Sequence, residues 1–67
     1  MDELLEIMQT AIRAEVEANK LYRRGEQSAT SDDARELFRR LAEEEEQHKQ
    51  MLLAKYQEMT GQAFTQW

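Results

Sequence analysis

Glu45 and His48 stand three residues apart in Glu45-Glu46-Gln47-His48. On a helix this spacing puts both side chains on one face, so a carboxylate and an imidazole can reach one metal ion together. Around them Phe38, Leu41, Ala42, Glu45, His48, Leu52, Tyr56 and Met59 recur in steps of three or four, as the core stripe of an amphipathic helix does. The only histidine and one glutamate therefore occupy positions where apolar residues belong. Unpaired charge in a core is costly, and a cation would bind the charged form and remove much of that cost. Glu15 is the counterpart in the first half of the chain. It lies in the seam Leu4, Met8, Ala11, Glu15, Ala18, Tyr22, Gly25. Ala11 and Ala18 leave room beside it for an ion or a close helix.

The elements that must position these groups follow from composition. There is no Pro, glycine occurs only at Gly25 and Gly61, and most residues are strong helix formers. No stretch alternates as a strand would. The fold class expected is all-α, with residues 1–67 forming one antiparallel hairpin. Helix one spans about residues 2–27, with Asp2 and Glu3 complementing the dipole at its start. Leu5, Ile12 and Asn19 flank its seam, and Arg13, Glu17, Lys20 and Arg24 form a solvated opposite face. Thr30 or Ser31 is the N-cap of helix two, and Thr30 to Asp33 has the spacing of a capping box. Helix two spans about residues 32–60, and Gly61 is its C-terminal cap. The tail, residues 61–67, carries Phe64 and Trp67, which either fold back as a lid, pack on a second subunit, or fray.

So short a connection makes the helices antiparallel neighbours. Glu15 precedes the turn by about 13 or 14 residues, and Glu45 follows it by about 16 or 17. At ~1.5 Å rise per residue the two differ in height by roughly 4 to 5 Å. Glu15, Glu45 and His48 thus converge at one level. Three ligands do not saturate an iron ion, but two hairpins about a two-fold axis offer four carboxylates and two imidazoles. That is the ligand set of di-iron and di-manganese carboxylate bundles. Mixed oxygen and nitrogen donors suit iron, manganese or zinc rather than calcium or magnesium. Glu-x-x-His alone arises easily in a glutamate-rich helix, and a single core histidine is usually structural. Glu15 at the matching level is what favours a metal. Tyr22, two turns from Glu15 on the same stripe, reads equally as a core aromatic with a wet hydroxyl or as a donor to a ligating carboxylate.

Composition bounds the alternatives. A chain of 67 residues buries little surface and often needs a disulfide, a metal or a partner subunit. Cysteine is absent, so disulfides, zinc fingers and iron–sulfur clusters are excluded. The exposed seam of Leu5, Met8, Ile12, Leu37, Leu41 and Leu52 calls for a cover, so the chain is expected to be a homo-oligomer, at least a dimer forming a four-helix bundle. A net charge of -5 argues against a nucleic-acid groove or an anionic membrane surface. No apolar run approaches the ~20 residues of a membrane span, and the acidic N-terminus is unlike a signal peptide. A cytoplasmic protein is the expectation.

Ala11-Ile12-x-x-Glu15-x-x-Ala18-x-x-x-Tyr22, followed by Leu37-Phe38-x-x-Leu41-Ala42-x-x-Glu45-x-x-His48, resembles the rubrerythrin branch of the ferritin-like superfamily. The resemblance covers about residues 8 to 56. It implies that Glu15, Glu45 and His48 are metal ligands and that Tyr22 hydrogen-bonds a ligand glutamate. The spacing from Glu15 to Glu45 also resembles the encapsulated ferritins, two-helix chains that build a di-iron centre between subunits. Glu17 matches an acidic position that guides iron in those proteins, whereas Ala14 stands where another acid would be. Typical rubrerythrins carry four helices in one chain and a cysteine-rich rubredoxin tail, and this chain has half the bundle and no cysteine. The implied activity is oxidation of Fe(II) by oxygen or reduction of peroxide. Storage would then require an encapsulating shell, and peroxide turnover an external electron donor. The alternative is a non-catalytic hairpin dimer that serves as a protein interaction module, with Glu45 and His48 as boundary residues.

Overall fold

The computed structural model describes residues 2–67; Met1, the first residue of the expected unit, lies outside them. Two antiparallel helices, α1 (Glu3–Ser28) and α2 (Asp32–Thr60), form a rod of 46 × 16 × 16 Å. No strand occurs among the described residues, so the fold is the all-α hairpin expected.

Each helix end has a local cause. Asp2 stands just outside α1, and its Oδ1 accepts from the backbone N–H of Leu4 at 2.9 Å and of Leu5 at 3.4 Å. The cap thereby fills two of the four open donors of a helix N-terminus. Ser31 is the N-cap of α2, and its Oγ accepts from the Ala34 N–H at 3.2 Å. Ala34 is therefore the third helical residue, and the Thr30–Asp33 capping box does not form. Gly61 ends α2 at φ 73°, and its N–H donates to the Gln57 carbonyl at 2.7 Å. That left-handed conformation is nearly free for glycine and costly for other residues. Arg35 fastens the turn, donating to the Ala29 carbonyl at 3.3 Å and to Asp32 at 2.8 Å.

Apolar contacts gather on either side of the Glu15 level. Toward the open end, Met8, Ile12, Tyr56 and Phe64 form a buried cluster, with Leu5, Leu52 and Leu53 packed against it. Toward the turn, Tyr22 and Phe38 pack with ring centroids 6.4 Å apart. Gly25 lets the helices meet there, because a Cβ on it would lie 2.7 Å from the Phe38 ring.

The tail folds back on its own hairpin. Phe64 is buried and meets Tyr56 edge-on at 5.3 Å, and Trp67 meets Phe64 edge-on at 4.8 Å. Arg13 donates to the Gln66 carbonyl at 3.0 Å, so it straps the tail rather than simply facing solvent as expected. With the tail in place, Met8 and Ile12 are buried within the single chain. The seam left open therefore differs from the one expected, with Leu37 common to both. It consists of Leu4, Ile7 and Leu21 on α1 and Leu37 and Met51 on α2, all exposed. By helical register these residues lie on the flank opposite the tail, here called the front. A concavity of about 420 Å³ floored by Ala11 and Ala14 opens on it. On the back, ion pairs take over from mid-rod, where Lys49 meets Glu46, toward the turn, where Arg23 meets Glu26. Met59, placed on the core stripe by its spacing, is exposed, because α1 is only beginning opposite the last turn of α2.

Candidate metal centre

Glu15 comes from the middle of α1, and Glu45 and His48 from the middle of α2. The hairpin brings one ligand atom of each within 4.8 Å of the others. His48 Nδ1 lies 3.6 Å from Glu15 Oε2 and 3.8 Å from Glu45 Oε1. Two donors that each bind one ion at ~2.1 Å stand at most ~4.2 Å apart, so both histidine distances are within the reach of a shared ion. These spacings exceed a hydrogen bond, and the three groups form a cluster rather than a closed network.

Burial divides the ligand set. The Glu15 and Glu45 side chains are 22% and 18% exposed, whereas His48 is 51% exposed on the front. The carboxylates are held among apolar neighbours, and the imidazole stands at the rim. Glu15 Oε2 is buried without any hydrogen-bond partner. A buried carboxylate oxygen loses its water and here receives nothing in return. A cation is the partner such an atom lacks. The donor set of two carboxylates and one imidazole fits iron, manganese or zinc.

The remaining residues singled out by sequence lie elsewhere. Among the described residues the Tyr22 hydroxyl makes no hydrogen bond; its ring packs by Phe38. Glu17 is exposed and pairs with Lys20 at 3.5 Å. Glu46, beside Glu45 in sequence, points away from the cluster. Lys49 at 3.0 Å and Gln50 at 3.1 Å hold its carboxyl below the usual carboxylate range, with the Lys49 bond the larger cause. Glu36 is held low by its bond to Arg39, which also binds Glu43 at 2.7 Å. The acidic run Glu43–Glu46 thus splits between an outer ion-paired surface and one inward residue, Glu45.

The sequence signal passed over was Asn19. Its Nδ2 donates across the hairpin to the Ala42 carbonyl at 2.7 Å. A single amide on the otherwise apolar flank of Leu5 and Ile12 was the available clue.

No helix among the described residues is long and apolar enough to cross a membrane. No curated protein and no solved structure matches the chain. One family model, described as rubrerythrin, matches residues 6–65.

Proposed function

The chain belongs to the rubrerythrin family, and from that premise we propose that two copies pack front to front and build a di-iron carboxylate centre between them. The observation that carries this reading is the buried, unpartnered Oε2 of Glu15, set beside Glu45 and His48. One hairpin supplies two carboxylates and one imidazole. Two supply the four glutamates and two histidines of a di-iron bundle. The exposed apolar front supports the pairing. The chain exposes 4969 Å², against about 4,450 Å² for a compact monomer of its 8.0 kDa mass.

Iron held by Glu15, Glu45 and His48 would supply the redox chemistry, with oxygen or peroxide as the oxidant. The residues of the chain do the rest. Glu15 and Glu45 offset cationic charge from within the hairpin. His48 would contribute an imidazole nitrogen from the rim, where a partner's front would cover it. The apolar layers of Ile12, Leu52 and Tyr56 on one side and Phe38 on the other exclude bulk water and strengthen each ionic contact. Tyr22, whose hydroxyl has no partner among the described residues, would be free to donate to a ligand glutamate, as the family resemblance implies. The two-helix plan follows that of the encapsulated ferritins, and iron is favoured over manganese or zinc by the family.

The test is metal content after purification without chelator, together with Fe(II) oxidation. About one iron per chain is expected for a two-metal site in four helices, and His48→Ala should lose both the metal and the activity. A wild-type chain that stays metal-free when supplied with anaerobic Fe(II) would leave a plain interaction hairpin.

A further inference from the structure

We propose that Asn19 is the positioning residue that sets the height of α1 against α2 at the Glu15–Glu45–His48 layer, through its hydrogen bond to the Ala42 carbonyl. The inference rests on the proposed metal centre for its consequence, though not for its geometry.

A metal site demands much of helix register. Ligand distances must hold within about 0.2 Å, and sliding one helix by a single residue moves its ligands by ~1.5 Å. Interdigitated apolar packing resists a full residue of slip, but it carries no directional bond that singles out one height. Near the bond the residues are small, with Ala18 next to Asn19 and Ala42 itself the acceptor, while bulkier contacts such as Phe38 against Gly25 lie nearer the turn. The Gly25–Phe38 contact fixes how closely the helices approach, and the turn, fastened by Arg35, fixes height at one end of the rod, roughly 20 Å along the axis from the ligand layer.

The Asn19–Ala42 bond supplies the missing direction. Among the described residues it is the one side-chain hydrogen bond that joins α1 to α2; the Arg13 bond goes to the tail and the Arg35 bond to the turn. It is short, at 2.7 Å, and half-buried, so water competes poorly for either partner. Its acceptor sits on a residue that is 0% exposed. A carbonyl has two lone pairs, so Ala42 can accept from Asn19 and still keep its helical bond. Asn19 follows Glu15 by four residues and Ala42 precedes Glu45 by three. In an antiparallel pair both positions lie on the turn side of the ligand layer, about one helical turn away. The lever from the bond to the ligands is therefore as short as the helices allow without entering the site.

The experiment compares wild type with Asn19→Leu, which continues the apolar flank of Leu5 and Ile12 without a donor, and with Asn19→Ala. The full chain is used, with Co(II) as the probe. Asn19→Leu should melt in chelator no lower than wild type, yet bind Co(II) roughly tenfold or more weakly and change the Co(II) visible absorption bands. Asn19→Ala should change the bands in the same way and carries the test if Asn19→Leu does not fold. A metal-free readout accompanies these. NMR should give one set of α1–α2 contacts around Glu15 and Glu45 in wild type, and several exchanging sets in the variants. A variant with lowered melting but unchanged Co(II) bands, affinity and interhelical contacts would overturn the inference and leave Asn19 a structural residue. If wild type itself binds no Co(II), the metal centre falls, and the NMR contacts alone decide whether Asn19 sets the register.

Discussion

Glu15→Leu separates a site built for a cation from an ordinary boundary glutamate. In the metal-free chain Glu15 Oε2 is buried without a partner, a state that costs about 1–3 kcal/mol. Replacement removes that cost. A leucine there would be about four-fifths buried, given the 22% exposure of the glutamate, and would contribute about 1–2 kcal/mol of the 1.5–3 available at full burial. Against this stands the loss of attraction to His48 at 3.6 Å, worth no more than about 1 kcal/mol at a rim so open to water. The balance is a gain of about 1–4 kcal/mol per chain. For so small a domain each kcal/mol moves the melting temperature by about 4–8 °C, so the metal-free variant should melt at least several degrees above wild type. Added metal should then raise wild type and leave the variant where it was, since linkage stabilises only the chain that binds. The assay is a set of four thermal melts, two proteins with chelator or with anaerobic Fe(II). A variant that melts below wild type in chelator and still gains the full shift with Fe(II) would refute the reasoning.

Three other outcomes are expected. Gly25→Ala gains about 1 kcal/mol of helix propensity but drives a methyl to 2.7 Å from Phe38, an overpacking worth about 1–3 kcal/mol; urea unfolding should show a net loss, and adding Phe38→Leu should recover it. Phe64→Ala opens the buried Met8, Ile12, Tyr56 cluster and should cost about 3 kcal/mol, with faster amide exchange in the first turns of α1 and no change in metal stoichiometry. Glu46→Gln should leave metal binding unchanged. Because Lys49 and Gln50 hold the Glu46 carboxyl low, its contribution is present above the unfolded value of ~4.3 and fades as pH falls through the folded one. Solvent limits that contribution to about 0.5 kcal/mol, so the variant should unfold only slightly earlier at pH 7 and no earlier at pH 3.

What the sequence disclosed and what it withheld divide by range. Gly61 was readable, and the second N-cap was narrowed to Thr30 or Ser31, because a cap is settled within four residues; the helix type of both segments was readable too. The shared level of Glu15, Glu45 and His48 was readable because a short turn and a fixed rise leave almost no freedom along the axis. The side on which the tail docks was not readable, since it rests on Arg13 reaching Gln66 and on Phe64 meeting Tyr56. The open seam was misplaced for the same reason: Met8 and Ile12 have periodic partners in α2 but are finally covered by Phe64. Asn19 looked like an interruption of an apolar flank, and only the facing carbonyl of Ala42 gives it a task.

The strapped tail has a consequence for symmetry. A hairpin that is apolar on both flanks could add a neighbour on each and grow without end, as heterologous contacts do when they fail to close. Here Phe64 and the Arg13–Gln66 bond cover one flank near the open end, and ion pairs occupy it from mid-rod to the turn. Among the described residues Trp67 is the large apolar side chain that the tail itself leaves exposed, against Leu4, Ile7, Leu21, Leu37 and Met51 on the flank that bears His48. In the proposed dimer two such bodies present the same surface, which is the isologous arrangement and closes after a single pairing. The tail residues would then act as a stop to polymerisation. They would do so from the side of the rod opposite His48.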